Sequence, residues 1–308
     1  MMRIVFFGSD DFAATSLKEI LSSSHQVVGA ITGPDTRQGR GMKMSLSPIK
    51  AIASEQDILC LQPESLKEHS IVEKLKSFNA DIFVVVAYGR ILPSMVLDIP
   101  KMFCINVHGS LLPQYRGAAP INWAIINGEK ETGVTIQKMV FELDAGDSIS
   151  QEKITIAEDT DAVVLREKMA KLGAELLVRT IDQIALGKYT FHPQDKNKIS
   201  HAPKLTKEMG RIDWSRSAKD IERLIRGLKP WPGTFTLYKG KVLKILEASM
   251  VDVKGKPGTV ISIGKEGFVI ACGQEGLLIK QVHLEASKAG SAYDFIQGHR
   301  LAIGEQFI

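Results

Sequence analysis

Residues 102–120 read MFCINVHGSLLPQYRGAAP, and they determine how the first part of the chain is interpreted. The apolar run Met102–Ile105 predicts a buried strand. Side chains alternate along a strand, so Asn106 and His108 leave its end on the same face. One amide and one imidazole are therefore predicted to lie side by side.

This pair of side chains suits acyl transfer. An amide N–H can stabilise an oxyanion, and imidazole, which titrates near neutral pH, can move a proton. An isolated Asn-x-His is more often a turn and a backbone-bonded histidine, so the neighbouring residues decide. Pro120 is a good first residue for a helix to Asn127, and a loop leaving a sheet edge is a common ligand site. We interpret the stretch as an active-site loop.

Four motifs carry a resemblance to a known family. They are Asn106-x-His108, Ser110-Leu-Leu-Pro113, Arg116-Gly-x-Ala-Pro120 and Leu143-Asp-Ala-Gly-Asp147. On these motifs the sequence resembles the formyltransferases that use 10-formyltetrahydrofolate, and among them the branch that formylates methionyl-tRNA. The resemblance implies a catalytic trio, which falls on Asn106, His108 and Asp144. Many family members have Gly where Glu142 stands and Ala where Gly109 stands.

The resemblance also implies where the folate binds. Residues 88–93 follow a predicted buried strand, Ile82–Ala87, and their apolar side chains would by default pack in the core. A pterin ring needs a flat apolar slot edged by polar groups. The implied folate-binding residues are Leu92, Leu143, Ser110, Leu111, Leu112 and Pro113.

Asp144 stands in a loop, where a lone Asp usually caps a helix or forms a turn. Its role rests on the motif and on chemistry. A carboxylate near His108 is expected to favour the imidazolium and to orient the ring or a proton-carrying water.

Length and composition fit a two-domain enzyme. The chain has 308 residues, 44% of them hydrophobic and 24% charged, which provides apolar material for one or two cores. No apolar run is long enough to span a membrane and the start has no signal-peptide layout, so we expect a cytoplasmic protein. Cys60, Cys104 and Cys272 are interpreted as buried thiols, and we expect no metal. No feature requires a dimer, so we expect a monomer.

The first domain is predicted to be a doubly wound parallel-sheet α/β domain, because β and α patterns alternate. Arg3–Phe7 and Val27–Thr32 are predicted strands, and Phe12–Leu21 is a predicted helix. Gly8 is a lone glycine where a dinucleotide fingerprint needs three, which argues against a nicotinamide cofactor. Thr160–Ala185 is predicted to be the long helix that closes this domain.

The segment Gly33–Pro48 fits no helix or strand and is rich in positive charge. Its Arg37, Arg40 and Lys43 would suit phosphate contacts with an RNA stem end, although a merely solvated insertion is nearly as plausible. In the resembled branch a loop at this place enters the tRNA acceptor arm, and Arg40 matches its key arginine. The implied tRNA-binding residues are therefore Arg37, Arg40 and Lys43.

Residues 207–308 are predicted to form a small β-barrel resembling the oligonucleotide-binding type, since five short strands follow one another. We predict a catalytic domain at 1–187, a linker at 188–206 and a tRNA-binding barrel at 207–308. The last segment carries 16 Lys and Arg against 11 Asp and Glu, and residues 1–206 carry 23 against 24. The positive excess favours a nucleic-acid partner. The hairpin lysines Lys239, Lys241 and Lys244 would serve as a phosphate patch, although most such lysines are solvated charges on an edge strand.

The resemblance thus implies transfer of a formyl group from 10-formyltetrahydrofolate to the α-amine of initiator methionyl-tRNA. Two alternatives remain open. The same trio would serve a formyltransferase for a small amine such as a nucleotide sugar or glycinamide ribonucleotide. The chain could also be an RNA-binding module that keeps the transferase half as a scaffold, although the intact trio argues against this.

Overall fold

The computed structural model describes residues 1–38 and 43–308, and for residues 36–38 and 43–45 it describes the main chain alone. Contacts divide the chain into two compact units. The first contains Met1–Pro120, Glu131–Thr155 and Arg166–Ala202; the second contains Ile121–Lys130, Ile156–Leu165 and Pro203–Ile308.

The strands are β1 (Arg3–Gly8), β2 (Gln26–Ile31), β3 (Thr36–Gln38), β4 (Lys43–Ser45), β5 (Cys60–Leu61), β6 (Ile82–Val86), β7 (Phe103–His108), β8 (Arg116–Gly117), β9 (Glu131–Lys138), β10 (Ser148–Thr155), β11 (His201–Ala202), β12 (Thr234–Tyr238), β13 (Lys241–Val251), β14 (Val260–Gly264), β15 (Gly267–Ala271), β16 (Gly276–Leu284) and β17 (Gly290–Ser291). The helices are α1 (Asp11–Leu21), α2 (Pro48–Glu55), α3 (His69–Ser77), α4 (Ser94–Leu97), α5 (Pro120–Ile126), α6 (Ala162–Ala185), α7 (Ala218–Gly227) and α8 (Ala292–His299).

The first unit is built on a seven-stranded sheet in the order β10-β9-β7-β6-β1-β2-β5. The strands from β7 to β5 are parallel, whereas β9 is antiparallel to β7 and β10 to β9. The sequence runs from β1 outward to one edge and then returns through β6 toward the other. This is the doubly wound order, and it places ligands at the carboxyl ends of the parallel strands.

Alternation along β1 explains how both faces of the sheet are covered. Val5 and Phe7 belong to a buried cluster with Leu75 of α3 and Val96 of α4. Gly8 points to the opposite face, where a Cβ would come within 2.6 Å of the Ala13 Cβ in α1. Gly8 is thus required for close packing of the first helix, and helices cover both faces.

The long helix α6 covers the same face of the sheet as α1, near the antiparallel edge. Its Gly173 faces Val107 of β7 and Val134 of β9, at 3.2 and 3.3 Å from an added Cβ. The Asp161 carboxylate accepts hydrogen bonds from the amides of Val163 and Val164 and so caps the helix.

The second unit contains a largely antiparallel sheet in the order β12-β13-β16-β15-β14, with β17 paired to β16. Its core includes Trp214, Phe268 and Phe295, and the Trp214 indole donates to Thr236 Oγ1 at 3.1 Å. The helices α7 and α8 begin at serine caps, Ser217 and Ser291.

The predicted fold class, an α/β domain with a parallel sheet followed by a domain of antiparallel strands, is confirmed. The sheet also carries the antiparallel pair β9–β10 at one edge. The predicted limits 1–187, 188–206 and 207–308 stay a prediction; contacts group residues 188–202 with the first unit, where His192 bridges Ser148 and β11 pairs with β8.

The prediction that no strand fits residues 33–48 is wrong. The strands β3 and β4 pair antiparallel, with Thr36 opposite Ser45. Each strand has three residues, too few to show an alternating pattern, and the two strands are held together by main-chain hydrogen bonds that any sequence can make. Among the described residues no helix combines the length and apolarity that a bilayer crossing requires.

Candidate active site

Asn106 and His108 lie within β7, near its carboxyl end, rather than after it. Strand alternation places both on the face that carries Cys104 and packs α3 and α4. Across the antiparallel pair, Gln137 is opposite Asn106 and Thr135 is opposite His108. The site therefore has a floor of four polar side chains from two neighbouring strands.

The His108 ring is buried, and one of its two nitrogens is hydrogen-bonded to the main chain. Its Nε2 lies 2.9 Å from the Tyr115 carbonyl oxygen, and a carbonyl can only accept, so Nε2 carries a hydrogen. The other nitrogen, Nδ1, lies 3.5 Å from Asp144 Oδ1. Nδ1 is thus the ring nitrogen left to take a proton, and a carboxylate stands beside it.

Asp144 is held at both carboxylate oxygens. Gln137 Nε2 donates to Oδ1 at 2.9 Å, and the Gly117 amide donates to Oδ2 at 2.8 Å. The residue has φ 51°, a left-handed conformation that Asp tolerates better than most residues. The loop between β9 and β10 thus presents this carboxylate to His108 in a fixed orientation.

Gln194 fastens this loop from a segment far along the chain. Its Nε2 donates to the main-chain oxygens of Asp144 and Gly146 at 2.8 and 2.6 Å, and its Oε1 accepts from Arg116 Nε and Nη2. The sequence analysis missed Gln194, because it lies in the segment assigned to a linker. The sequence signal for such a residue was Arg116 in the Arg-Gly motif. The structure buries this arginine, and a buried guanidinium needs an acceptor such as Gln194 Oε1.

The run Ser110–Pro113 is positioned by Thr135. The Thr135 hydroxyl donates to the Ser110 carbonyl at 2.6 Å and accepts from the Leu112 amide at 3.0 Å. Gln151 Nε2 donates to the Leu112 carbonyl at 2.8 Å. Ser110 is fully buried and its hydroxyl donates to the Gln114 carbonyl, so its side chain shapes the loop.

The structure places Leu92 and Leu143, two of the predicted folate-binding leucines, in different environments. Leu92 is 3% exposed and packs in the cluster with Phe7 and Tyr88. Leu143 is 66% exposed, next to Asp144 in the loop, and Phe141 beside it is also exposed. Folate contacts at these positions and at Ser110–Pro113 stay a prediction.

The predicted tRNA-binding residues lie largely outside the described part of the chain. Arg40 falls in residues 39–42, which are not described, and only the main chains of Arg37 and Lys43 are described. Before the hairpin, Asp35 pairs with Lys50 at 2.6 Å and accepts from Gln62. The Lys50 and Gln62 hydrogen bonds hold the pKa of the Asp35 carboxyl below its ordinary value.

The arrangement suits transfer of an acyl group to an amine. It combines an amide donor, an imidazole nitrogen free to take a proton, and a fixed carboxylate at that nitrogen. Within residues 1–38 and 43–308, no group of three or more His, Cys, Asp or Glu side chains could hold a metal ion.

Comparison with known families identifies the class. The Formyl transferase family matches residues 2–181, and the Formyl transferase, C-terminal domain family matches residues 204–300. The chain belongs to the formyl transferase family. The resemblance inferred from the four motifs is confirmed.

Two relatives match almost end to end. A methionyl-tRNA formyltransferase of Caldanaerobacter subterraneus is 46% identical over 98% of this chain and 99% of the relative. A methionyl-tRNA formyltransferase of Acetivibrio thermocellus is 43% identical over 99% of each chain.

Solved structures share the fold at low identity. An N-formyltransferase from Helicobacter canadensis, crystallised with folinic acid and dTDP-3-aminofucose, has a TM-score of 0.65 at 19% identity, over 91% of this chain and 99% of that one. HypX from Aquifex aeolicus, crystallised with tetrahydrofolic acid, has a TM-score of 0.65 at 18% identity; it covers 99% of this chain, which spans about half (48%) of HypX.

Proposed function

We propose that this chain transfers the formyl group of 10-formyltetrahydrofolate to the α-amine of methionyl initiator tRNA. The observation that carries the proposal is the Asn106, His108 and Asp144 arrangement, with Nδ1 of His108 3.5 Å from the Asp144 carboxylate. It stands in a chain 40–46% identical to proteins named methionyl-tRNA formyltransferases.

The three side chains divide the chemistry among them. The amine nitrogen forms a bond to the formyl carbon, and the bond from that carbon to N10 of the folate breaks. The formyl oxygen gains negative charge in between, and the Asn106 amide donates to it. His108 Nδ1 takes a proton from the amine, Asp144 orients and stabilises the ring, and N10 gains one proton as it leaves. No covalent bond to the protein is needed.

The folate is a substrate that the loop around Asp144 is suited to bind. Phe141 and Leu143 are exposed apolar side chains beside the catalytic carboxylate. A pterin ring would bury such side chains from water, and the polar floor from β7 and β9 would then face the formyl group. In this placement the pterin ring would contact the apolar side chains while the formyl group contacts the polar ones.

An RNA acceptor explains features that a small amine does not require. Residues 207–308 carry a positive excess, and a surface cavity within the second unit is lined by Trp123, Arg216 and Arg223. Aromatic and arginine side chains together bind nucleotides by stacking and phosphate contacts. We propose that this unit contacts the tRNA while the amine reaches His108.

Formyl transfer from labelled 10-formyltetrahydrofolate tests the proposal. Methionyl-tRNA, free methionine and a dTDP-linked amino sugar are offered in parallel, with His108→Ala as the control. We expect label on methionyl-tRNA alone, and none with the variant. Label on the amino sugar instead would reject the tRNA acceptor, and no transfer to any amine would leave the scaffold alternative.

Arg40→Ala tests the role of the basic segment. We expect a higher KM for methionyl-tRNA and an unchanged Kd for the folate, because the arginine would contact phosphates of the acceptor arm. Equal loss of both would reject this division of roles. We further propose a cytoplasmic monomer, which size-exclusion chromatography coupled to light scattering would test for its oligomeric state.

A further inference from the structure

Gln137 is a buried glutamine of β9 that faces the catalytic side chains. It is 2% exposed and lies directly opposite Asn106 in the β7–β9 pair. Directly opposed side chains share one face, with Cβ atoms about 5 Å apart. Its amide therefore lies beside that of Asn106.

The hydrogen bond to Asp144 fixes which way the Gln137 amide points. Its Nε2 is 2.9 Å from Asp144 Oδ1, and an ionised carboxylate only accepts, so the nitrogen has to be at this end. The oxygen Oε1 consequently points away from Asp144. Gln137 offers an acceptor at a defined place next to the carboxylate.

This acceptor has no partner among the residues that the structure describes. Gln137 Oε1 is buried, and no donor among the described residues reaches it. Buried acceptors are nearly always paired, because an unpaired one keeps its full desolvation cost. Oε1 is thus left for a donor that the described residues do not supply.

A primary amine carries the donors that fit. Asp144 Oδ1 is flanked by His108 Nδ1 at 3.5 Å and by Gln137 Nε2 at 2.9 Å, so the two acceptors Nδ1 and Oε1 belong to side chains that meet at one oxygen. A neutral primary amine has two N–H groups and one lone pair. Two acceptors for the N–H groups leave only one direction for the lone pair.

We propose that Gln137 is a further catalytic residue whose Oε1 accepts a hydrogen bond from the attacking amine. This role rests on the proposed function, the transfer of a formyl group to an amine. One N–H of the amine donates to His108 Nδ1, and that proton is lost as the new nitrogen–carbon bond forms. The other N–H donates to Gln137 Oε1 and remains in the formamide product. The carbon–N10 bond breaks and N10 takes a proton, so atoms and charge balance.

The test compares Gln137→Met, which keeps the length of the side chain but has no amide, with the wild-type protein. Gln26→Met is the matched control, because Gln26 is an exposed strand glutamine at the opposite end of the sheet. We expect kcat for formyl transfer to fall about 10- to 100-fold in Gln137→Met, the worth of one strong hydrogen bond. The folate Kd should match the control.

A second substrate separates the acceptor role from mere support of Asp144. N-methylmethionyl-tRNA has one N–H fewer, so it should be a poorer substrate for the wild-type protein. If the missing N–H is the one that donates to Oε1, the methyl group should lower the kcat of Gln137→Met by a much smaller factor than the kcat of the wild-type protein. The effects of two changes on one interaction are not additive. Additive losses, or a kcat for Gln137→Met within threefold of wild type, would overturn the inference.

Gln137→Glu adds a pH readout. An ionised Glu at this place repels Asp144, whereas a protonated one restores both a donor and an acceptor. The activity of Gln137→Glu relative to wild type should therefore rise as the pH falls, and a constant ratio would count against the proposed hydrogen bonds. If the wild-type protein formylates a different amine, the comparison is run on that amine. Failure of the tRNA acceptor is then distinguished from failure of the Gln137 role.

Discussion

Asn106 is the residue proposed to stabilise the oxyanion. It is partly exposed at the end of β7, and no described residue hydrogen-bonds its amide, so it is available to a substrate. The bond it makes strengthens as charge develops on the formyl oxygen. Its loss should therefore act on the rate rather than on binding.

Asn106→Ala is expected to lower kcat about 100- to 1,000-fold while the Kd for the folate changes little. Steady-state kinetics and equilibrium folate binding measure the two effects. Asn197→Ala, at an exposed asparagine, serves as control and should keep wild-type kinetics. A loss in Asn106→Ala confined to KM would assign the residue to ground-state binding instead.

The loop between β9 and β10 is the element that sets the Asp144 position. A Cβ on Gly146 would come within 1.7 Å of the Lys138 carbonyl oxygen, and Lys138 is itself bonded to Asp147 across the loop. Room for a Cβ at Gly146 can be made only by a shift of the loop backbone. Any side chain at Gly146 should displace the carboxylate from His108.

Gly146→Ala is expected to reduce kcat about 100-fold, because an ångström of misplacement can cost that much. Gly298→Ala is the matched control: Gly298 lies in α8 with open space around its Cβ position, so alanine should leave activity intact and stabilise the helix by about 0.5–1 kcal/mol. Steady-state kinetics and thermal unfolding measure both. Wild-type kcat in Gly146→Ala would contradict the proposed role of the loop.

The start of β1 is held by the carboxylate of Asp81, the residue just before β6, which accepts a hydrogen bond from the Arg3 amide. Partial burial acts to raise the pKa of Asp81, but hydrogen bonds from the Arg3 amide and Lys101 outweigh it and hold the pKa below the ordinary value of 3.8. A group with a lowered pKa in the folded state stabilises it above that ordinary value. The contribution is lost as the pH falls through the folded-state pKa.

Asp81→Asn should therefore lower the free energy of unfolding at pH 7, by on the order of 1 kcal/mol for a partly exposed carboxylate. The difference from wild type should shrink as the pH is lowered past 3.8. Urea unfolding at a series of pH values measures it, with Asp98→Asn, at an exposed aspartate, as control. A difference independent of pH would show that the charge does not act as described.

At the scale of the whole molecule, charge is unevenly distributed. The net charge is +4, and the positive excess lies in residues 207–308. Cation contacts with phosphates release counterions, so their strength falls with salt. The proposed tRNA substrate makes this distribution testable.

We expect log(kcat/KM) for methionyl-tRNA to fall linearly as log salt concentration rises, with a much weaker effect on folate binding. Initial rates from 50 to 300 mM KCl, with equilibrium folate binding over the same range, measure both. A flat dependence for the tRNA would mean that few phosphates are contacted.

Much of this protein could be predicted from local sequence. The apolar run before Asn106, the alternation that puts Asn106 and His108 on one face, the Asp161 and Ser217 caps and the long helix α6 all follow from neighbours in the chain. The motif residues gave the family. These features depend on backbone periodicity and on side chains within a few positions, which a sequence displays directly.

The other features depend on contacts between segments that are far apart in the sequence. Gln137 became a neighbour of Asn106 through the register of β7 against β9, and Gln194 reached Asp144 because residues 188–202 return to the first unit. The β3–β4 pair likewise depends on the meeting of two segments. A sequence shows which residues can pair, but the choice of partner follows from packing of the whole chain. The sequence alone therefore determined the long helices and the buried strands, whereas the tertiary structure decided the pairing of short segments and assembled the site.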